Sequence, residues 1–545
     1  MDPFVAQLAC LCTEHRTRAK WVFVPTHSLG RTLGERIARE GTNWLNLRFV
    51  TPLDIALRMG APFLVERGID PSEAGLGPAL MMRLLLDLPE PDGYFRALAD
   101  QPTMAQALWS TVRDLRMAGV KSDDLKADSF ESPGKHAELR ALLSAYERHL
   151  EREHRGDMAL VYEEALTHPT WCPIQPQDCW TELPHAAWTL LQRLLIDRMP
   201  GERISPRALA LPGRTVPRRL AASTIEQVAP ERATNPLAFL MTPATLKGSP
   251  YTPSIELFHA GGREAEIGEV FRRILIAGVP LDDVEIACAS DAHVALVWEK
   301  ALRHDWAVTL APGIAAAQTR PGRALIGLCD WIETDFAASH FRRLLQSGDL
   351  GVEAEDEGFS AGQAARLLAR AEAGWGRATY GLALGRLRRD YETRAADPDE
   401  SDEDRADARA KADLTARVLA WITGLVRSIP EPATDLHQPS AISHDGRVPL
   451  QTVVEAAIAF VGHTTARKSA LDHRAASALV DYVAELRALG SFSCPLPGAL
   501  RFIRERVQSL HVAPERPRPG HLYACTLADA GYSGRPATYA PTLLE

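Results

Sequence analysis

The segment Pro25-Thr-His-Ser-Leu-Gly30-Arg31-Thr32 approaches the spacing G-x-x-x-x-G-K-[ST] of a phosphate loop. In such a loop backbone N–H groups cradle phosphate, a lysine reaches the β- and γ-phosphates, and a hydroxyl binds Mg²⁺. Gly30 and Thr32 fit that pattern. Pro25 stands where the first glycine belongs, fixes φ and removes an N–H. Arg31 replaces the compact charge of lysine with a wide planar fork. Ser28, Gly30, Arg31 and Thr32 are therefore the candidate nucleotide-binding residues, as the remnant of a degenerate loop. An ordinary strand–turn–helix accounts for the same residues equally, and both readings exclude hydrolysis. The acidic pair that would hold Mg²⁺ is missing. Trp180-Thr-Glu-Leu-Pro184, the nearest place for it, offers one carboxylate.

Other chemistry is sparse, and no residue is a catalytic candidate. Gly531-Tyr-Ser-Gly-Arg535 has the wrong glycine spacing for a nucleophile elbow. The 17 histidines make no H-E-x-x-H, and the eight cysteines no C-x-x-C, so no metal site is expected. The close cysteine pairs, Cys10/Cys12 and Cys172/Cys179, read as buried thiols. His27 beside Ser28 is a turn pair. Asp124-Leu-Lys126 has D-x-K spacing but lies in a helical stretch without flanking strands, and reads as a solvated helix start. Trp109, Trp188, Trp298 and Trp331 recur with leucines at helical spacing, which makes them core.

Basic side chains gather in two places. Arg203, Arg207, Arg214, Arg218 and Arg219 fall in a Pro/Gly-rich segment read as an exposed loop, where they can meet DNA phosphates. Arg501, Arg504, Arg506, Arg516 and Arg518 form the other group. Thr319 and Arg320 open a helix whose N-terminus suits an anion, although a plain N-cap before proline explains them as well.

The elements that must position these residues alternate. Trp21–Pro25 reads as a strand, Leu29–Glu40 as a helix, Leu45–Val50 as a strand, and Thr51-Pro52 opens a helix through Arg58. The chain thus starts strand–helix–strand–helix, as a parallel sheet does. Helical spacing follows over Ala79–Leu86, Met104–Met117 and His136–Glu153. A second set runs Ile255–His259 (strand), Gly262–Ala277 (helix), Val284–Cys288 (strand), Ala292–His304 (helix) and Trp306–Leu310 (strand). A helix from Arg320 to about Glu333 comes next. The acid-rich stretch Asp397–Asp413 is a solvated helix face or a linker. Ile429–Pro449 reads as a linker, Leu450–Val507 as helical, and His521–Thr526 as a last strand. The residues beyond it lack the apolar strand expected there.

The 545 residues, 46% hydrophobic and 24% charged, suggest three or four domains. A net charge of −9 argues against a uniformly basic nucleic-acid coat but permits a local basic groove. No secretory leader and no apolar run of membrane-spanning length is visible, so a cytoplasmic protein without membrane contact is expected.

The order of sheet, helical insertion, sheet, helical insertion and return to the sheet resembles superfamily 1 helicases. It looks most like the AddB-type subunits of helicase–nucleases. The likeness rests on Gly262–Ile267, Asp282–Ala287, Leu296–Leu302, Trp306–Thr309, Thr319–Leu325, Phe336–Leu345 and His521–Pro536. It implies an α/β, helix-rich fold of two RecA-like parallel-sheet domains, each with a helical insertion. The implied boundaries are 1–78 and 167–250 for the first domain with insertion 79–166. They are 251–345 and 514–545 for the second, with insertion 346–513. In active relatives the late loop meets DNA and nucleotide; here Ser533 and Arg535 occupy it and join Arg203, Arg207, Arg214, Arg218, Arg219, Thr319 and Arg320 as DNA-binding candidates.

The resemblance implies a subunit without intrinsic activity that binds single-stranded or duplex-end DNA. It would work beside an AddA-like motor in double-strand-break repair and recombination. The family's activity is ATP-dependent helicase and exodeoxyribonuclease, using Mg²⁺ and an iron–sulfur cluster in a later PD-(D/E)xK nuclease region for which this chain has no room. No cofactor is therefore expected here. The alternatives are a truncated portion of such a nuclease, and a protein–protein scaffold without DNA binding.

Overall fold

A computed structural model describes residues 2–71, 76–89, 93–209, 225–228, 256–352, 357–431 and 446–541. The fold is helix-rich α/β with parallel sheets. The chain divides into two compact units: residues 1–74, 110–312 and 514–545 form one, and residues 75–109 and 313–513 the other. Residues 79–109 of the expected first insertion therefore group with the second unit, and 110–166 with the first. No helix among the described residues is long and apolar enough to cross a membrane.

The first unit opens on a helix that the sequence reading missed, α1 (Pro3–Glu14), capped by Asp2, whose carboxylate accepts from the N–H of Phe4 and Val5. Next come β1 (Lys20–Phe23), α2 (His27–Arg39), β2 (Leu47–Val50) and α3 (Pro52–Glu66). Thr26 caps α2, and Thr51 with Asp54 forms a reciprocal capping box on α3. The sequence ended α3 at Arg58, but it continues through Pro62 to Glu66. Packing of Ile55, Ala56, Met59 and Leu64 into the core outweighs the hydrogen bond that the proline deletes.

β3 (Cys179–Glu182) and β4 (Glu202–Arg203) complete a four-stranded parallel sheet in the order β2-β1-β3-β4. Every residue of β1 is buried, as expected of a parallel strand covered on both faces. Its one charge, Lys20, points its ammonium at the carbonyls of His15 (2.6 Å) and Arg18 (2.8 Å).

β5 (Arg207–Leu209) pairs with β6 (Glu226–Val228). Part of the expected exposed loop from Pro200 to Arg219 is thus strand, in β4 and β5. The parallel ladders fix backbone that proline and glycine content had suggested was irregular.

A second parallel sheet of the same unit has the order β14-β7-β13-β8, from β7 (Val284–Cys288), β8 (Val308–Leu310), β13 (Leu522–Thr526) and β14 (Ala537–Tyr539). β14 corrects the expectation that β13 would be last. Its alternation is too short to read, but its backbone pairs with β7, Thr538 opposite Glu285. The strand expected at Ile255–His259 is not formed over the described residues 256–259, which have no ladder partner.

In the second unit the helix Arg320–Glu333 packs against the helices Ala338–Gln346, Leu450–His463, Ala470–Ala484 and Leu496–Ser509. Trp331 is fully buried there, and its indole N–H donates to Tyr380 Oη (2.8 Å). Ser401 caps the helix Asp402–Ser428, which carries much of the acid-rich stretch on a solvated face. Within the expected linker Ile429–Pro449, residues 447–449 form β10, paired antiparallel with β11 (Ser493–Pro495).

Candidate functional site at the junction of the two sheets

β1 ends at Phe23 and α2 starts at His27, so only Val24, Pro25 and Thr26 connect them. A phosphate-cradling loop needs more backbone than three residues, one of them proline. Gly30, Arg31 and Thr32 therefore lie within α2, beyond its first residues, rather than in a loop ahead of it.

Three of the four remnant positions have another occupation. Ser28 is half-buried and its carbonyl accepts from Thr32 Oγ1 (3.0 Å). Gly30 is buried against β2, where a Cβ would come within 2.6 Å of Phe49 Cβ, so its glycine serves close packing. Arg31 is exposed. Thr32 is buried and shares a 2.9 Å hydrogen bond with the hydroxyl of Tyr523 on β13. Because the Thr32 proton points to Ser28, Tyr523 is the donor. With that hydroxyl engaged and the loop short, these residues do not fit a Mg²⁺–nucleotide.

The Thr32–Tyr523 bond belongs to a polar junction between α2 and the second sheet. The loop after β13, Ala530 to Arg535, is shaped by Glu285 on β7. This buried carboxylate accepts from Gly531 N (2.7 Å), from Cys525 Sγ (3.5 Å) and from the hydroxyl of Ser533. Ser533 is thereby turned inward and buried, which removes it from contact with DNA.

Arg36 of α2 donates to Gly531 O (3.3 Å) and lies so close to Gly534 that a Cβ there would meet its Nε at 2.6 Å. Gly534 also has φ +70°, which glycine adopts without strain. Arg39 donates to Asp282 O (3.0 Å) and Asp283 Oδ1 (3.2 Å).

Arg535 lies at the centre, its side chain 0% exposed. Its guanidinium stacks over Tyr523, 4.8 Å from the ring centroid, and faces Asp282 (3.5 Å) and Glu35 (4.0 Å). Among the described residues none of its three nitrogens forms a hydrogen bond, nor do Glu35 Oε2 and Asp282 Oδ1. Desolvation pulls the Arg535 pKa down. Desolvation likewise raises Glu35, against the pull of Arg535 and Arg39. Arg535 is therefore an interior cation, and its candidacy as a DNA contact does not survive its burial.

The position examined for a metal-binding acid pair is structural. Glu182, at the end of β3, is fully buried and accepts from Trp188 Nε1 (2.8 Å), Arg193 Nη1 (2.6 Å) and Arg203 Nη2 (2.7 Å). Those three contacts occupy most of its accepting directions. They also withdraw Arg203 from DNA, since it pairs with Glu182 and Asp197 and covers Trp180. Arg207 pairs with Glu226 (2.8 Å), both side chains exposed. Arg214, Arg218 and Arg219 lie outside the described residues.

In the second unit Thr319 caps Gly322, and Arg320 is held by the buried Asp472 through its backbone N (3.3 Å) and Nη1 (2.8 Å). The expected anion position at that helix start is thus already filled by a carboxylate. Four of the five arginines of the later basic group are matched as well. Arg501 pairs with Glu505, Arg504 with Asp330 and Glu333, Arg506 with Glu485, and Arg518 with Glu515.

Sequence reasoning missed the cluster of Glu35, Arg36, Arg39, Asp282, Glu285 and Tyr523. These residues are far apart in the chain, and no spacing rule joins them. It also passed over Arg58, exposed on α3, which with Arg31 lies in the first half of a helix following a parallel strand. Neither forms an ion pair among the described residues. Among those residues no three His, Cys, Asp or Glu side chains are grouped as a metal would require. Scanned against protein-family models and searched against curated proteins, the chain gives no match.

Proposed function

We propose that this chain is a non-hydrolysing, helicase-like DNA-binding subunit of the AddB kind. Its two parallel sheets would be RecA-like domains of the superfamily 1 arrangement. The observation that carries the reading is the engagement of Thr32 with Tyr523 at the head of a three-residue strand-to-helix connection. That geometry favours a framework that has kept its paired sheets and lost nucleotide chemistry. The order of elements quoted for the resemblance supports the family assignment.

In this reading DNA lies along the carboxyl edge of the first sheet, where open α/β sheets bind ligands. Arg31 and Arg58 supply phosphate contacts, which position a strand without reading its sequence. An AddA-like partner supplies ATP hydrolysis, the setting is double-strand-break repair in the cytoplasm, and the chain itself uses no metal or cluster.

The test is a titration of the purified chain with single-stranded DNA across a salt series, run beside an ATPase assay. The reading expects binding that weakens steeply with salt and no ATP turnover above background. Turnover would overturn the account of the loop. Absence of binding at low salt would overturn the DNA-binding role.

A further inference from the structure

We infer that Arg535 is the release element of a latch between α2 and the second sheet, a role that goes beyond the DNA-binding reading and does not depend on it. Closure takes this guanidinium out of water and, among the described residues, returns no hydrogen bond to any of its nitrogens. Among the same residues it leaves one carboxylate oxygen on each of Glu35 and Asp282 without a hydrogen bond. Charged groups buried in that way are costly, and water satisfies them as soon as it enters.

What holds the junction shut is a set of separate bonds. They are Tyr523 to Thr32, Arg36 to Gly531, and Arg39 to Asp282 and Asp283. The cation–π contact with Tyr523 and the attraction of Glu35 and Asp282 recover part of the desolvation of Arg535. The two sides of the latch thus have opposite signs. Tyr523 and Thr32 close it, and Arg535 opens it. Opening hydrates Arg535, frees Arg36 and Arg39 from their bonds across the seam, and leaves a face of three guanidinium groups.

Amide hydrogen exchange on the whole chain tests this. Arg535→Met in a Glu35→Gln background keeps a side chain over Tyr523 and removes the buried charge without stranding the Glu35 carboxylate. Relative to Glu35→Gln alone it is expected to slow exchange in residues 527–536 by roughly tenfold. Tyr523→Phe is expected to speed the same amides by a similar factor. Faster or unchanged exchange on adding Arg535→Met would make Arg535 a clamp and overturn the proposal. The unmodified chain gives a second test that does not depend on how the variants fold. Its amides at 530–536 should exchange through an opening that low urea barely affects, whereas exchange only through global unfolding would also overturn it.

Discussion

Thr32 on α2 and Tyr523 on β13 join their hydroxyls at 2.9 Å although 491 positions separate them in the chain. Both are buried, so each satisfies the other where water is excluded. The bond ties a helix of the first sheet to a strand of the second.

Thr32→Val strands the Tyr523 hydroxyl, and Tyr523→Phe removes the bond while Thr32 keeps its donation to Ser28. Thr32→Val and Tyr523→Phe are each expected to lower unfolding free energy by about 1–2 kcal/mol in urea titrations. The double variant should cost clearly less than the sum of the two. Strict additivity would mean that the hydroxyls do not interact in solution.

Glu182 tests whether the acid at the end of β3 is structural. Removing it by Glu182→Ala leaves the buried guanidinium of Arg193 with only the exposed-side Asp197 as counter-charge, and about 3 kcal/mol of stability should be lost. Thermal unfolding reads the loss. If Glu182→Ala kept its stability and lost DNA affinity instead, the residue would belong to a binding site.

Two carboxylates respond to acid in opposite directions. Burial raises Glu35 above its ordinary 4.5, so the folded state holds that proton more tightly than the unfolded chain does. Its contribution therefore improves as pH falls from neutrality through the window just above 4.5, and Glu35→Gln should be at least as stable as the parent at pH 7. Asp472 differs. Despite desolvation, its bonds with Arg320 and Ser469 hold it below its ordinary 3.8. Its stabilisation is complete above 3.8 and is lost as pH falls through the lower folded value. Unfolding followed from pH 7 to pH 2.5 should show Asp472→Asn losing the acid-sensitive component and Glu35→Gln losing the opposite one.

For nucleic acid, Arg31→Ala and Arg58→Ala should each weaken single-stranded DNA binding without changing base preference. Each should reduce the slope of log affinity against log salt by about 0.7, the value for one phosphate contact on a single strand. Unchanged slopes in both variants would move the DNA path elsewhere. Arg203→Ala is the contrasting case, expected to unfold more readily because it uncovers Glu182.

Much of the local structure could be read directly. Caps at Thr51 and Thr319 lie where the sequence offered a hydroxyl before a helical pattern. The strands β1, β7 and β13 are runs of apolar residues that a covered parallel sheet demands. The errors have physical causes too. The helix expected to end at Arg58 runs on past Pro62, carried by its buried face. β14 and β5 are three residues each, too short to show alternation, and their ladders alone define them.

The amino-acid order by itself determined that strands and helices alternate, that one carboxylate stands where a metal would need two, and that proline and arginine replace two key residues near Gly30. Those are properties of neighbours in the chain, governed by backbone geometry and spacing. Only tertiary structure decided which charges are open to a ligand. Arg203, Arg320 and Arg535 look alike as letters, yet each faces a carboxylate brought from far along the chain. Desolvation and ion pairing depend on what surrounds a side chain in space, and no local pattern encodes that.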